Sequence, residues 1–194
     1  MPLSAEHKLA TRKTIVEAAR ILFNRYGFEG VSIDDIMKDA GLTRGGFYNH
    51  FKTKDALYAE AVASFLMGRG AQWRNQAGIT PKSDPAEMAQ QMLESYLSTE
   101  HLGDIDGQCP MIALPSDVAR ASPEVQEAYQ SLLEAMVGLF ETSLAAKGQG
   151  SRQTALSLAA LCVGGMVLAR TLPKSSLADD VRCAAKSLAA ELTS

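Results

Sequence analysis

The stretch that decides the fold of the N-terminal region is Thr43-Arg44-Gly45-Gly46-Phe47-Tyr48-Asn49-His50-Phe51-Lys52-Thr53-Lys54. It holds three cations and no acid, and its two phenylalanines are four residues apart, as on one face of a helix. A short amphipathic segment precedes it and ends at Ala40-Gly41-Leu42. Two helices joined by a glycine turn, the second of them short and basic, are typical of a helix-turn-helix that enters the major groove of DNA. The stretch therefore predicts a DNA-reading helix that begins at Thr43.

Two earlier helices are predicted immediately before this stretch. Apolar residues recur at intervals of three and four between Ile15 and Tyr26, which indicates an amphipathic first helix. Ser32 is the expected cap of a second helix, with Asp35 in the capping-box position. Asp35 and its neighbour Asp34 lie in the first turn, where acids complement the helix dipole. We interpret them as helix-stabilising residues and not as metal ligands.

The rest of the chain contains capping signals for six further helices and no convincing strand. The helices are expected to begin at Thr53, Asp84, Cys109-Pro110, Ser122, Ser151 and Ser176. The helix that Thr53 begins should be long and should fade near Ala77-Gly78. The sequence thus predicts an all-α protein of about nine helices.

Composition and charge are those of an ordinary globular protein. Hydrophobic residues make up 46% of the 194 residues, charged residues 21%, and the net charge is -3. The first 60 residues contain nine Lys and Arg against eight Asp and Glu, whereas the rest contains ten against fourteen. A slightly basic front and an acidic remainder fit a DNA-contacting head on a body of another function.

Several other classes of protein receive no support from the sequence. The three cysteines share no close spacing, so neither a disulfide framework nor a zinc site is indicated, and a reducing cytoplasm is the expected compartment. No signal peptide is recognisable, and the uncharged run 153–169 is too short and too polar for a membrane span. No acid-base pair or metal spacing points to an enzyme or to a cofactor.

The polar residues around the predicted reading helix are candidate DNA contacts. Arg44 and Asn49 are candidates for base edges, because arginine pairs with guanine and asparagine with adenine. Gly45 and Gly46 would let the helix approach the groove closely, although the alternative that they only loosen a turn stays open. The candidates for phosphate contacts are Thr43, Tyr48, His50 and Lys54. Arg12, in the first helix, could reach the DNA backbone or the minor groove, and Ser32 is a further candidate DNA contact. For Lys54 the alternative is a solvated surface lysine.

The N-terminal third of the chain contains a dense set of residues that together form one recognisable pattern: Thr14–Arg20, Phe23, Gly27-Phe28, Val31–Ile36, Ala40–Thr43, Phe47–Phe51 and Lys54. This pattern resembles the TetR family of bacterial transcriptional regulators. The resemblance is dense over about sixty residues. It implies a homodimer, an all-helical ligand domain, and release of DNA when a small molecule binds. On this basis we expect a DNA-binding domain over residues 1–53 and a ligand-binding and dimerisation domain over 54–194.

Ligand and dimer sites can be placed only loosely by sequence. Methionines and scattered aromatics suit an adaptable apolar pocket, and an ordinary helical core is the alternative for each of them. The pocket candidates are Phe65, Met92, Tyr96, Cys109, Met111, Tyr129 and Met136. No cluster of Arg, Lys and His argues for an anionic ligand. The last two helices, with Gly164 and Gly165 allowing close contact, should pair with those of a second subunit, unless they are buried within one subunit.

Cys109 supports a separate hypothesis. It precedes Pro110, the expected first residue of a helix, where the dipole would lower the pKa of a thiol and favour the reactive thiolate. The alternative is a small buried capping residue.

These observations predict a ligand-responsive transcriptional repressor that binds an inverted repeat in double-stranded DNA. A small apolar or electrophilic effector would release it by tilting the helix that Thr53 begins. A transcriptional activator and a helical protein-interaction module without DNA binding are the alternatives.

Overall fold

The computed structural model describes residues 5–172 and 175–193 and contains only helices within them. In chain order they are α1 Ala5–Tyr26, α2 Ile33–Asp39, a 3-10 helix Arg44–Asn49, α3 Lys54–Met67, α4 Arg69–Gln76, α5 Pro85–Tyr96, α6 Thr99–Gly103, α7 Pro110–Ala113, α8 Pro115–Val118, α9 Pro123–Ala146, α10 Arg152–Thr171 and α11 Ser176–Glu191. The predicted all-α fold is confirmed.

The helix-turn-helix is built as the sequence predicts. Ser32 and Asp35 form a reciprocal capping box at the start of α2. Gly41 makes the turn with a φ of +70°, a left-handed conformation that glycine adopts without steric cost. Phe47 and Phe51 are buried against the rest of the domain and hold the 3-10 helix in place.

The predicted number of about nine helices is wrong, because the described residues form eleven α-helices and the 3-10 helix. The long helix expected after Thr53 breaks at Gly68, which separates α3 from α4. Two short helices are additional: α6, capped by Ser98, and α8, which begins at Pro115. The cap of the last helix is Ser175 and not Ser176.

The long helix α9 lies at the centre of the larger domain. It packs against α3, α5 and α10, and α10 packs against α11. Because α3 contacts both α1 and α9, this helix joins the helix-turn-helix to the body. The domain boundary between residues 53 and 54 therefore stays a proposal.

Within the single chain, helix α10 is buried on one side and exposed on another. One face is buried and carries Ala155, Leu158, Ala159, Cys162, Gly165, Met166 and Ala169. Another face exposes Leu156 and Leu168 to solvent. Among the residues that the structure describes, α10 alone is long and apolar enough to cross a membrane by length and composition. Core helices of soluble proteins pass the same test, so this is weak support for a membrane span.

Candidate nucleic-acid interface and ligand cavity

The 3-10 helix presents its polar side chains outward. Tyr48 is 61% exposed, and Arg44 and Asn49 are exposed on the same short helix. Arg44 pairs with Asp34 of α2 at 2.6 Å, and both side chains are more than half exposed. Such a surface ion pair is worth about 0–1 kcal/mol, so Arg44 can leave Asp34 for a base edge at little cost.

The protein's own structure does not require glycine at positions 45 and 46. Neither adopts a positive φ. Beyond its chain neighbours and the backbone of its own helix, a Cβ atom at Gly45 would meet nothing within 4 Å, and one at Gly46 would make only ordinary contact with Met37 and Thr43. Gly45 therefore leaves open space on the outer surface of the helix.

A groove of about 390 Å³ lies between the start of α1 and the 3-10 helix. Its lining contains no acidic residue and consists of His7, Lys8, Thr11, Met37, Leu42, Thr43, Gly46, Asn49 and His50. Thr43 occupies the N-cap position, but its side chain makes no capping hydrogen bond, contrary to expectation. The pKa of His50 is lowered, first by burial and then by the charges of Lys8 and Arg12. This groove has the charge and the hydroxyl and imidazole groups that a phosphate needs.

Three predicted DNA contacts, Arg12, Ser32 and Lys54, have partners inside the protein. Arg12 binds the carboxylate of Glu60 and the carbonyl of His50, and its guanidinium lies 3.9 Å from the centre of the Phe51 ring. The Ser32 hydroxyl is engaged in the capping box. Arg12 and Ser32 thus stabilise the domain.

Lys54 is held in the same way. Its ammonium group donates to the carbonyl of Phe28 and lies 4.0 Å from the centre of the Phe28 ring. Burial lowers its pKa, although the lysine is only partly buried. This contact explains a cation in the first turn of α3 without DNA, and it replaces the alternative of a solvated lysine.

The larger domain encloses an apolar cavity of about 250 Å³. Six of the seven predicted pocket residues line it: Phe65, Met92, Tyr96, Cys109, Met111 and Met136. The seventh, Tyr129, is not in the lining, and its hydroxyl donates to the carbonyl of Met111 at 3.3 Å. Trp73, Arg74 and His101 also line the cavity. Nothing in the sequence marks Arg74, because the break at Gly68 that separates α4 from α3 was not expected, or His101, because it lies on α6, a short helix that was not expected either.

The structure contradicts the hypothesis that Cys109 is a reactive thiolate. Its side chain is 2% exposed, and burial raises the pKa of the thiol to about 11. The helix that it precedes, α7, has only four residues and offers a weak dipole. Cys109 is therefore a buried, protonated thiol in the cavity wall.

The segment 104–111 links this cavity to the helix-turn-helix. On one side, the Asp106 carbonyl accepts a hydrogen bond from Arg20, and the Gln108 carbonyl accepts one from Asn24 at 2.8 Å. On the other side, Cys109 and Met111 line the cavity. A displacement of Cys109 or Met111 in the cavity wall would therefore be transmitted to α1 through the hydrogen bonds of Arg20 and Asn24.

Exposed leucines lie on α10 and α11 and at the C-cap of α11. They are Leu156, Leu168, Leu177, Leu188 and Leu192. The two adjacent glycines differ: a Cβ at Gly165 would lie 2.8 Å from Ala185 of α11, whereas one at Gly164 would meet nothing within 4 Å. Gly165 thus serves packing within the chain, and Gly164 leaves room on the other side.

The N-terminal region matches a known family. A family model for bacterial regulatory proteins of the tetR family covers residues 15–61, which contain α2, the 3-10 helix and parts of α1 and α3. The Transposon Tn10 TetC protein of Escherichia coli is 46% identical over 79 residues, or 41% of this chain and 37% of that protein. The chain spans less than half the length of this relative and of other curated relatives that it matches.

Two further proteins match along most of their length. The HTH-type transcriptional regulator LmrA of Bacillus subtilis (strain 168) is 26% identical over 174 residues, or 86% of this chain and 89% of LmrA. The crystal structure of the reduced form of E. coli NemR has a TM-score of 0.73 at 17% identity, covering 92% of this chain and 96% of NemR. At that identity the likeness is one of fold. The matched family consists of regulators and not of enzymes.

Proposed function

The chain belongs to the TetR family of bacterial regulatory proteins, and we propose that it is a cytoplasmic transcriptional repressor. As a homodimer it would bind an inverted repeat in double-stranded DNA and leave it when a small, mostly apolar effector enters the cavity. The observation that carries the proposal is the outward polar face of the 3-10 helix, which stands beside a groove without acidic residues.

The DNA contacts divide between this helix and the groove. Arg44 and Asn49 are exposed and carry the side chains that read guanine and adenine. Tyr48, Thr43 and His50 lie around them and suit phosphate oxygens. Contacts with the DNA phosphates would then orient the helix-turn-helix, and the side chains of Arg44 and Asn49 would select the base sequence.

The dimer would form through the exposed leucines of α10 and α11. An inverted repeat is read by two identical heads, so a symmetric dimer matches the symmetry of its site. Burial of the apolar face between two copies would also remove the leucines from water.

Release would follow from ligand binding in the cavity. Cys109 and Met111 in its wall lie on the segment whose carbonyls hold Arg20 and Asn24 of α1. Phe65 of α3 lines the same cavity, and the other end of α3 carries Lys54 beside the helix-turn-helix. A ligand that fits only a widened cavity would shift α1 and α3 and change the spacing of the two reading heads.

The proposal is tested by selecting bound duplexes from a random pool at low salt, without ligand. We expect an enriched inverted repeat, and a reporter gene behind that repeat should be silenced by the protein. Arg44→Ala should cost about 1–3 kcal/mol and relax the preference at one base pair in each half-site. The matched control Arg120→Ala removes an exposed arginine of the larger domain and should keep the preference. Failure to enrich any duplex would contradict DNA binding, and activation of the reporter would contradict repression.

A further inference from the structure

One end of the cavity holds polar groups that lack partners of their own. The Tyr96 side chain is 3% exposed, and its hydroxyl is buried without a hydrogen-bond partner among the described residues. The Cys109 thiol lies close by but does not form a hydrogen bond of normal geometry with it. An unsatisfied buried hydroxyl costs about 1–3 kcal/mol, which makes it a site where a ligand oxygen would be favoured.

Arg74, a cation without a counter-ion among the described residues, lies in the wall of the same cavity. Arg74 of α4 is partly buried in the cavity wall and uses one N–H to donate to the Leu66 carbonyl at 2.7 Å. No carboxylate in the described ranges pairs with it, and the cavity lining includes no Asp or Glu. Arg74, Tyr96 and Cys109 all line this cavity, and the charge of Arg74 opposes the rise in the pKa of Cys109.

The remaining wall is apolar. Phe65, Met92, Met111, Leu132 and Met136 surround the volume that a ligand would fill. The volume of about 250 Å³ is slightly below the usual range of about 300–1,000 Å³ for sites of drug-sized ligands. The cavity therefore suits a small apolar body with one polar end.

We infer that the effector is a small monocarboxylic acid with an aliphatic or aromatic body, its carboxylate held by Arg74 and the Tyr96 hydroxyl. This inference rests on the proposed role of the cavity as the effector site. A guanidinium presents paired N–H donors that match the two oxygens of a carboxylate, and a single cation balances a single negative charge. No anion site is apparent in the sequence, because Arg74, Tyr96 and Cys109 lie on α4, on α5 and at the N-cap of α7.

Ligand binding can be measured without DNA, because the only tryptophan of the chain, Trp73, lines the cavity. Octanoate and phenylbutanoate are titrated against the full-length protein while Trp73 fluorescence is followed, with octanol and phenylbutanol as uncharged counterparts. We expect the acids to bind at least about tenfold more tightly than the alcohols, since a hydrogen bond to a charged group contributes about 1.5–3 kcal/mol.

Variants assign the effect to the polar end of the cavity. Arg74→Met should weaken binding of both acids about 10- to 100-fold and leave the alcohols unchanged, and Arg74→Lys should restore part of the loss. Tyr96→Phe, which keeps the ring, should weaken the acids by a smaller factor. The control Arg152→Met removes an exposed arginine that pairs with Glu141 and should change nothing. Circular dichroism confirms that each variant is folded.

Equal binding of acids and alcohols, no response to either, or full octanoate affinity in Arg74→Met would overturn the inference. If Arg74→Met does not fold, Tyr96→Phe provides the test instead. An unchanged affinity of Tyr96→Phe for the two acids would then overturn the inference. These outcomes are separate from the DNA test. If the protein enriches an inverted repeat but binds the alcohols more tightly than the acids, the proposed regulatory function stands and the carboxylate site is overturned. If it binds octanoate but enriches no duplex, only the proposed regulatory function is overturned.

Discussion

Gly45 stands on the outer side of the 3-10 helix, where an added Cβ would meet nothing within 4 Å beyond its chain neighbours and the backbone of its own helix. Its φ is not positive, so alanine can adopt the same backbone. If glycine serves only the fold, alanine should be tolerated completely. If DNA lies against this position, the new methyl group meets the groove.

We predict that Gly45→Ala keeps or slightly raises stability and weakens DNA binding at least tenfold. Alanine is favoured over glycine in helices by about 1 kcal/mol, which accounts for the direction of the stability change. Thermal unfolding and a DNA titration with the selected duplex measure the two effects. Gly138→Ala in α9, where a Cβ is also unobstructed, is the control and should leave DNA affinity unaltered. Unchanged DNA affinity in Gly45→Ala would show that the glycine has no part in groove contact.

Charged residues near the 3-10 helix show that residue type alone does not reveal which cations have partners within the fold. Arg12 and Lys54 are cations in a basic region, and the sequence predicts both as DNA contacts. In the fold, each lies over a phenylalanine ring and binds a backbone carbonyl, which connects neighbouring helices. Only exposure separates such residues from Arg44, and exposure depends on contacts between residues far apart in sequence.

At the level of helices, the break at Gly68 shapes the cavity. The residue has φ -97° and ψ -112°, which interrupts the helix between Met67 and Arg69. A Cβ there would lie 2.7 Å from the carbonyl oxygen of Ser64. Since the obstacle is backbone and not a flexible side chain, alanine would force the chain to shift. The break places Trp73 and Arg74 of α4 in the cavity wall.

We predict that Gly68→Ala destabilises the protein by about 1–3 kcal/mol, the usual cost of forcing extra volume into a packed site. Because α4 would move, Trp73 fluorescence should also change in the absence of ligand. Urea unfolding and an emission spectrum test both effects. A variant as stable as the parent, with the same spectrum, would mean that the break does not depend on glycine.

For the whole molecule, we propose that the exposed leucines of α10 and α11 form the interface of a dimer. Leu168 is 52% exposed and Leu188 47%, on the two helices that pack against each other. Gly164 leaves room on this side for another helix to approach.

We predict that Leu168→Glu shifts the protein from dimer to monomer, because burying an unpaired carboxylate between two copies is strongly unfavourable. Binding to the inverted repeat should fall in parallel, as each head would then bind alone. Light scattering after size-exclusion chromatography gives the mass. Leu9→Glu, which alters an exposed leucine of α1, is the control and should remain dimeric. A dimeric Leu168→Glu protein would place the interface elsewhere.

The sequence by itself determined the all-α class, the helix-turn-helix and the residues that cap many of its helices. These features depend on local periodicity, on caps a few residues apart and on the glycine turn at Gly41. Tertiary structure alone decided that Arg74, Tyr96 and Cys109 line one cavity, that Cys109 is buried with a raised pKa, and that Lys54 donates to the Phe28 carbonyl. Burial, pKa values and hydrogen-bond partners depend on residues that are distant along the chain. A break at one residue, such as Gly68, also changes the direction of the helix that follows it and therefore where the side chains of that helix lie.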